Sequence, residues 1–186
     1  MKNILTFTLV TLLSFSHLSH AATTSSNAEA KPQIKGTYVI VQSAAHATIT
    51  PIKDQKNAYL LTLENVGKHS TFFTERPNRT AGIMSTESLA QDWDPKNPQG
   101  FAQNPPNGSL VGLHTHLLNR DKTVNVVLQL TKPSYDAKNK TLTYVVHPIG
   151  NEKKLASLEK IKLDYATLFI DAFFGGYCAS CVINNN

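Results

Sequence analysis

The sequence predicts an all-β fold, an antiparallel β-sandwich or a partly open barrel with one short helical insertion. About a third of the 186 residues fall in short runs rich in β-branched and aromatic residues, separated by turn residues such as Gly, Pro, Asn and Asp. Two runs alternate apolar and polar residues, as strands half-buried in an antiparallel sheet do. Residues 71–107 interrupt this pattern with a helix signal and the only tryptophan. We therefore expect a single domain over residues 34–171, followed by a Gly- and Cys-containing tail over residues 172–186.

Residues 1–21 have the features of a secretory signal peptide. Lys2 gives a short positive start, residues 4–15 are mostly apolar, and small residues, Ser19 and Ala21, lie three and one before the expected cleavage point. The apolar run is shorter than the ~20 residues that span a membrane. We expect cleavage after Ala21, a flexible leader over residues 22–33, and export to the periplasm or the medium.

Four runs in the first half of the domain predict strands. Each is rich in β-branched or aromatic residues, and each ends at turn residues such as Pro51. The predicted strands cover residues 36–42, 46–50, 58–64 and 71–74. The last of them leads into the interrupting segment.

Three runs after the interrupting segment predict a meander of antiparallel strands. They cover residues 109–118, 123–131 and 141–147 and are separated by short polar turns. The inward face of the second run comprises Val124, Val126, Leu128 and Leu130.

A run over residues 160–171 predicts the last strand. Its inward face comprises Ile161, Leu163 and Tyr165. The alternation changes phase near residues 167–170, which predicts a β-bulge there.

The interrupting segment contains one predicted helix. Ser85 or Thr86 can cap its first turn, and Pro95 ends it. Leu89 and Trp93 are four residues apart and therefore lie on one face of the helix. We expect this face to pack Trp93 against the sheet.

Two arginines ahead of that helix are candidate ligand-binding residues, together with Trp93. Arg76 and Arg79 flank a Pro-Asn pair, and two guanidinium groups at this spacing can bind one carboxylate or phosphate because each has a fixed fork of donors. The alternative is structural, with the arginines pairing with acidic residues or stacking on aromatic rings. The candidate structural partners are Glu75, Asp92, Asp94, Phe72 and Trp93.

This segment resembles a family of small exported bacterial proteins of unassigned function. The similarity covers mainly residues 58–111 and is carried by Phe72-Phe73-Thr74-Glu75-Arg76-Pro77-Asn78-Arg79-Thr80-Ala81-Gly82, Trp93, Phe101 and Pro105-Pro106-Asn107. In the family the Arg-Pro pair follows Ser-Asp and the Pro-Pro-Asn is followed by Ala, whereas this chain has Thr74-Glu75 and Gly108 there. The resemblance implies bacterial export and a shared structural block, and it supplies no activity.

His114 and His116 are candidate metal ligands. They are two residues apart on a predicted strand and so point to one face, opposite Val111 and Leu113. The sequence shows no third ligand nearby, and His147 is expected on a strand separated from this one by another. Exposed histidines on a solvent face are the structural alternative.

Cys178 and Cys181 form a Cys-Ala-Ser-Cys sequence in the tail. In an exported protein, two cysteines this close most simply form a local disulfide. A redox pair is the first alternative, although such a pair normally begins a helix that lowers the pKa of the first thiol. A zinc site with His114 and His116 is the second.

Composition fits a binding or structural protein of unknown ligand. Residues 22–186 carry a net charge of +4, one less than the +5 of the whole chain because Lys2 is removed, and the dispersed basic residues do not indicate nucleic acid. We expect a monomer with no cofactor and no membrane span, whose candidate partners are an anionic ligand or an envelope component. Enzymatic activity stays open, with a thiol-disulfide oxidoreductase (Cys178, Cys181) or a metal-dependent hydrolase (His114, His116) as the alternative.

Overall fold

Antiparallel strands make up most of the described residues, as the sequence predicts. The computed structural model describes residues 36–74, 76, 80–98, 100–115, 121–150, 152–159, 161–174 and 181–183, with the backbone alone described at 36, 173–174 and 181–183. The elements are β1 (Gly36–Pro51), β2 (Tyr59–Glu64), β3 (His69–Thr74), β4 (Ala81–Ser85), α1 (Thr86–Gln91), β5 (Asn107–His114), β6 (Lys122–Asp136), β7 (Thr141–Pro148), α2 (Glu152–Ala156), β8 (Lys162–Phe174) and β9 (Cys181–Ile183).

Within these residues, six strands pair in a closed ring and three form an extension. The ring runs β1–β2–β7–β6–β5–β8 and returns to β1. The extension, β3–β4–β9, begins at the N-terminal half of β1. β1 belongs to both the ring and the extension. Along one of its edges, Tyr38–Val41 pair with β3 and His46–Pro51 pair with β2, and β8 pairs along the other edge. The predicted all-β fold is confirmed, as is the meander β5–β6–β7.

β1 is one strand where the sequence predicts two. Its residues Ser43–Ala45 lack the β-branched pattern that marks strands, yet they continue the pairing with β8. Ala44 and Ala47 are both buried, so the inward face of β1 changes phase between them. The gap in the sequence pattern therefore marks a change of face and not the end of a strand.

β8 changes face at the same level, through Tyr165. This residue has a positive φ of 49°, and its side chain is 79% exposed, so the prediction that Tyr165 points inward is wrong. The register between β8 and β5 shifts by one residue here, opposite Gly112. The predicted bulge exists but lies just before residues 167–170, because the inward positions on either side of it are Leu163 and Ala166.

The interior of the ring is filled by side chains from all six of its strands. Fully buried large residues include Tyr38, Ile40, Ile49, Leu61, Leu63, Leu110, Leu128, Leu130 and Tyr144. Phe72 of β3 and Met84 of β4 are also fully buried and belong to the same cluster. The extension and the ring therefore share one core, which is the main source of stability in such a domain.

A chain of buried polar side chains crosses this core where the extension leaves the ring. Tyr144 donates to Gln42 Oε1 at 3.0 Å, and Gln42 Nε2 donates to Ser70 at 3.4 Å. The Ser70 and Thr86 hydroxyls are 3.1 Å apart, and Thr86 donates to the Gly67 carbonyl at 2.9 Å. Burial raises the pKa of the Tyr144 hydroxyl well above its usual value. The network fixes β3 and the start of α1 relative to the ring.

Two short helices accompany the strands. α1 begins as expected, with the Ser85 hydroxyl accepting from the Ser88 N–H at 3.3 Å, and Leu89 and Trp93 are buried. α2 was not predicted, because its five residues include three charged ones and are too short for a periodic pattern. Leu155 anchors it in the core. No helix among the described residues is long and apolar enough to cross a membrane.

Candidate functional site

A cavity of about 480 Å³ lies at the end of the sheet where β1 and β5 begin and β8 ends. This volume is within the ~300–1,000 Å³ typical of small-ligand sites. It is lined by Thr37, Pro98, Gly100, Phe101, Gln103, Asn104, Pro105, Pro106, Asn107 and Asp171. Strand residues form one wall, and the segment between α1 and β5 forms the other.

The strand wall is a row of polar residues on the outer face of the sheet. Asn107 on β5 and Asp171 on β8 are directly opposite each other, which puts their Cβ atoms about 5 Å apart on one face. Val39 on β1 is opposite Asp171 on its other side, and Thr37 lies two residues before Val39 on the same face. The pairing of β1, β8 and β5 therefore assembles a hydroxyl, a carboxylate and an amide.

The loop wall is fixed by backbone hydrogen bonds. They join Asp94 N to Gln91 O, Asn97 N to Asp94 O, Gly100 N to Asn97 O, and Phe101 N to Asp92 O, at 2.9, 2.9, 3.0 and 2.7 Å. Gly100 is required by this folding, because a Cβ atom there would lie 2.2 Å from the Asp92 carbonyl oxygen. The wall has an ordered backbone of its own.

Both ends of the loop wall are attached to β6. The Trp93 indole donates to the Leu130 carbonyl at 3.1 Å, and the Leu130 N–H donates to the Pro106 carbonyl at 2.9 Å. β6 bulges just beyond Leu130, where Lys132 has a φ of 46° and Pro133 has no N–H to donate. The loop is held at both ends by the backbone of one residue.

Trp93 lies in the core behind the loop wall. Its side chain is 7% exposed, and its ring contacts Phe101 and Tyr144 edge-on, with centroids 4.6 and 5.8 Å away. Trp93 also forms part of the lining of a smaller cavity, together with Lys132 and His147. Its observed contacts are those of a packing residue, the role expected for it on the helix face.

Arg76, the described residue of the arginine pair, lies at the tip of the β3–β4 hairpin. Thr74 and Thr80 close the hairpin, since the Thr74 N–H donates to the Thr80 carbonyl and the Thr80 N–H donates to the Thr74 hydroxyl, both at 2.7 Å. Arg76 is exposed in the turn. Thr74 pairs with Tyr38, the neighbour of Thr37, so the hairpin tip is at the same end of the sheet as the cavity. Arg79 lies outside the described residues.

His114 ends β5 and is half-buried, on the same face as Leu110. The expectation that this face is exposed is wrong, because it is the face of the fully buried Leu110. The sequence pattern does not show this, because two of the three inward positions before His114 are Gly108 and Gly112, which give no apolar signal. His116 lies outside the described residues. Across the part of the chain that is described, no group of three His, Cys, Asp or Glu side chains could hold a metal.

Of the two cysteines, Cys181 falls at the edge of the extension. Cys181 begins β9, which pairs with β4, while Cys178 and the side chain of Cys181 lie outside the description. The predicted disulfide therefore stays a prediction. β8 continues to Phe174, beyond the expected end of the domain at residue 171.

A second polar cluster was not predicted. His46 Nδ1 lies 2.7 Å from Asp164 Oδ1. Two hydrogen bonds lower the pKa of the Asp164 carboxyl, with the bond from Thr115 contributing most and the bond from His46 second. Lys162 pairs with Glu64 beside them at 3.3 Å. His46 and Asp164 are 118 residues apart, and only the β1–β8 register brings them together.

No protein-family model matches the chain, and comparisons with curated proteins and with solved structures also find no match. The family resemblance of the segment around Arg76 therefore stays an expectation. The site is interpreted from its own geometry.

Proposed function

We propose that the protein is an exported binding protein that holds a small ligand in the cavity between the loop wall and the outer face of β1, β8 and β5. The observation that carries this proposal is the assembled row of Thr37, Asp171 and Asn107 facing an ordered loop. Sites for small ligands are typically preformed concave surfaces with a few convergent polar groups.

Preorganisation of the loop supports the proposal. The Trp93 and Pro106 bonds to Leu130 fix its ends, and the Gly100 turn fixes its middle. A wall that is already ordered loses little conformational freedom when a molecule binds, so more of the interaction energy appears as affinity. A segment that served only to connect α1 with β5 would not need this internal bonding.

The chemistry of the lining also favours binding. Three amide side chains, from Gln103, Asn104 and Asn107, lie beside the Thr37 hydroxyl and the Asp171 carboxylate. These groups recognise polar ligands by hydrogen bonding. The proposal leaves the hairpin tip with Arg76 as an exposed neighbour of the site.

Export is part of the proposal and rests on residues 1–21. Intact-mass measurement of protein recovered from the envelope fraction and the medium of an expressing bacterium tests it. We expect a chain that begins at Ala22. A chain that retains Met1 would contradict cleavage after Ala21.

The binding function can be tested with isotope-labelled exported protein and small probes of each charge class. Suitable probes are phosphate and citrate, putrescine, and neutral sugars, followed through backbone amide shifts. Binding at the cavity should move Gly100, Asn104 and Asn107 while leaving Asp54, at the far end of β1, unchanged. If no class of probe shifts the cavity amides, the proposed function is wrong.

A further inference from the structure

We propose that the cavity takes an uncharged saccharide, recognised through its hydroxyl groups. This proposal rests on the proposed binding function and names the chemical class of its ligand. It depends on three properties of the lining: the kind of hydrogen-bonding group, the sign of the charge and the placement of the apolar surface.

The polar groups of the lining match hydroxyl groups. An amide side chain offers both an N–H donor and a carbonyl acceptor, and the Thr37 hydroxyl also donates and accepts. A sugar hydroxyl also donates and accepts hydrogen bonds. Each amide side chain of the lining can therefore bind it as a donor or as an acceptor, and these amides belong to Gln103, Asn104 and Asn107. Asn107 and Asp171 are directly opposite on β5 and β8, which presents two neighbouring polar groups to two neighbouring hydroxyls.

The charge of the lining disfavours an anion. Asp171 is the one charged side chain among the described residues that line the cavity. Because the Asp171 side chain is exposed, it would repel an anionic group about 4 Å away by roughly 1 kcal/mol. The sequence predicted an anionic ligand because Arg76 and Arg79 lie close together in the chain. Asp171 gave no such signal, because only the pairing of β8 with β5 brings it to the cavity.

The same residues give little support for a cation. The Asp171 side chain is exposed, and exposed ion pairs contribute only about 0–1 kcal/mol. A cation site usually adds an aromatic face, but Phe101 is 3% exposed and packs edge-on against Trp93. An uncharged ligand with many hydroxyl groups fits the carboxylate, which accepts hydrogen bonds from hydroxyl donors.

The apolar part of the lining is rigid and lies on the loop side. It consists of Pro98, Pro105, Pro106 and the covered edge of Phe101. Proline side chains lose almost no conformational entropy on contact. They provide a surface for the C–H face of a pyranose ring while the strand wall binds its hydroxyls.

The test uses exported protein and calorimetric titration with trisaccharides of matched size. Maltotriose, cellotriose and N-acetylchitotriose are the neutral probes, trigalacturonate is the anion and chitosan trimer the cation. We expect at least one neutral trisaccharide to bind about fivefold more tightly than trigalacturonate, which corresponds to roughly 1 kcal/mol. Removing two amides with Gln103→Ala and Asn104→Ala should weaken that binding by about tenfold, the worth of one typical hydrogen bond. Both side chains are exposed, so the melting temperature should not change.

Asp171→Asn tests the charge argument directly, because it keeps the shape of the side chain and removes the charge. In this variant the ratio of the Kd for the anionic trisaccharide to the Kd for the neutral one should fall at least threefold. Asp54→Asn is the matched control, since Asp54 is exposed at the opposite end of β1 and its φ of 62° suits asparagine. A cavity that binds only a charged probe would overturn the saccharide proposal and leave the binding function standing. A cavity that binds none of the probes would count against the binding function itself.

Discussion

The indole nitrogen of Trp93 lies 3.1 Å from the carbonyl oxygen of Leu130. Leu130 also donates its N–H to Pro106, so one residue of β6 holds both ends of the loop wall. The pairing of β5 with β6 ends at Asn107, opposite Gln129, which leaves the Leu130 carbonyl available for a side-chain donor. The bonds of the wall therefore depend on the point at which this pairing ends.

Trp93→Phe should destabilise the protein by roughly 1–3 kcal/mol, because a ring is kept but the buried Leu130 carbonyl loses its donor. Trp93→Ala should cost on the order of 3–5 kcal/mol, since it also leaves a cavity between Phe101 and Tyr144. Urea unfolding followed by circular dichroism measures both. Phe169→Ala is the control, because Phe169 is 38% exposed on the outer face. Equal stability of all three variants would show that the Trp93 contacts contribute nothing.

Gly100→Ala should cost on the order of 1–3 kcal/mol, because its Cβ atom overlaps the Asp92 carbonyl and forces the loop wall to move. Gly67→Ala is a matched control, since its nearest neighbour is 3.5 Å from the new atom. Thermal unfolding measures stability, and backbone amide shifts report whether Asn104 and Asn107 have moved. A Gly100→Ala protein with unchanged stability and shifts would mean that the turn is looser than described.

Asp164 should make the stability of the protein depend on acid pH. Its folded-state pKa is lowered by Thr115 and then by His46, below the value of about 3.9 expected in the unfolded chain. The ionised carboxyl therefore stabilises the folded state above the unfolded pKa, and this contribution is lost as the pH falls through the folded pKa. Asp164→Asn should flatten the fall in unfolding free energy below about pH 4. An Asp164→Asn protein whose unfolding free energy falls with acid pH as steeply as that of the unaltered protein would contradict this prediction.

Cys178→Ser combined with Cys181→Ser should change the denaturant midpoint little. A bridge between these residues closes so short a loop that it removes little entropy from the unfolded chain. Mass measurement after alkylation, with and without reductant, establishes whether the pair is oxidised in protein recovered from the envelope fraction or the medium of an expressing bacterium. Redox titration in glutathione buffers then separates a structural bridge, with a potential below about −300 mV, from a redox pair. Ready reduction together with turnover of a disulfide substrate would support the oxidoreductase alternative.

Local patterns of the sequence predicted the parts of the fold that depend on neighbouring residues. The start of the helix at Ser85 and the burial of Leu89 were predicted because a cap and a side-chain pattern are local properties. The β6 alternation defined its inward face for the same reason. Trp93 is buried as expected but lies beyond the end of α1 at Gln91, so the predicted helix was too long. The sequence predicted the wrong inward face for β5, because Gly108 and Gly112 occupy inward positions without side chains. Neighbouring strands approach these two glycines closely.

The sequence indicated the loop wall of the candidate site but not the strand wall. The loop wall lies in the segment that stood out by composition, and Pro105, Pro106 and Asn107 were part of the block used for the resemblance. Asp171 was not visible, because its place beside Asn107 depends on the β5–β8 register. The contact of His46 with Asp164 was hidden by the same long-range pairing.

Closure of the ring by β1 and β8 joins the first and last long strands of the domain. Their register runs from Gly36 opposite Phe174 to Thr48 opposite Lys162, so these contacts have a very high sequence separation. Such contacts are slow to form, because the chain loses loop entropy before it gains them. Until β8 is in place, β1 and β5 each have an open edge that another chain can pair with. Folding is therefore expected to be gated by the arrival of Lys162–Phe174, so that a growing chain has no closed ring until β8 has been made and has paired.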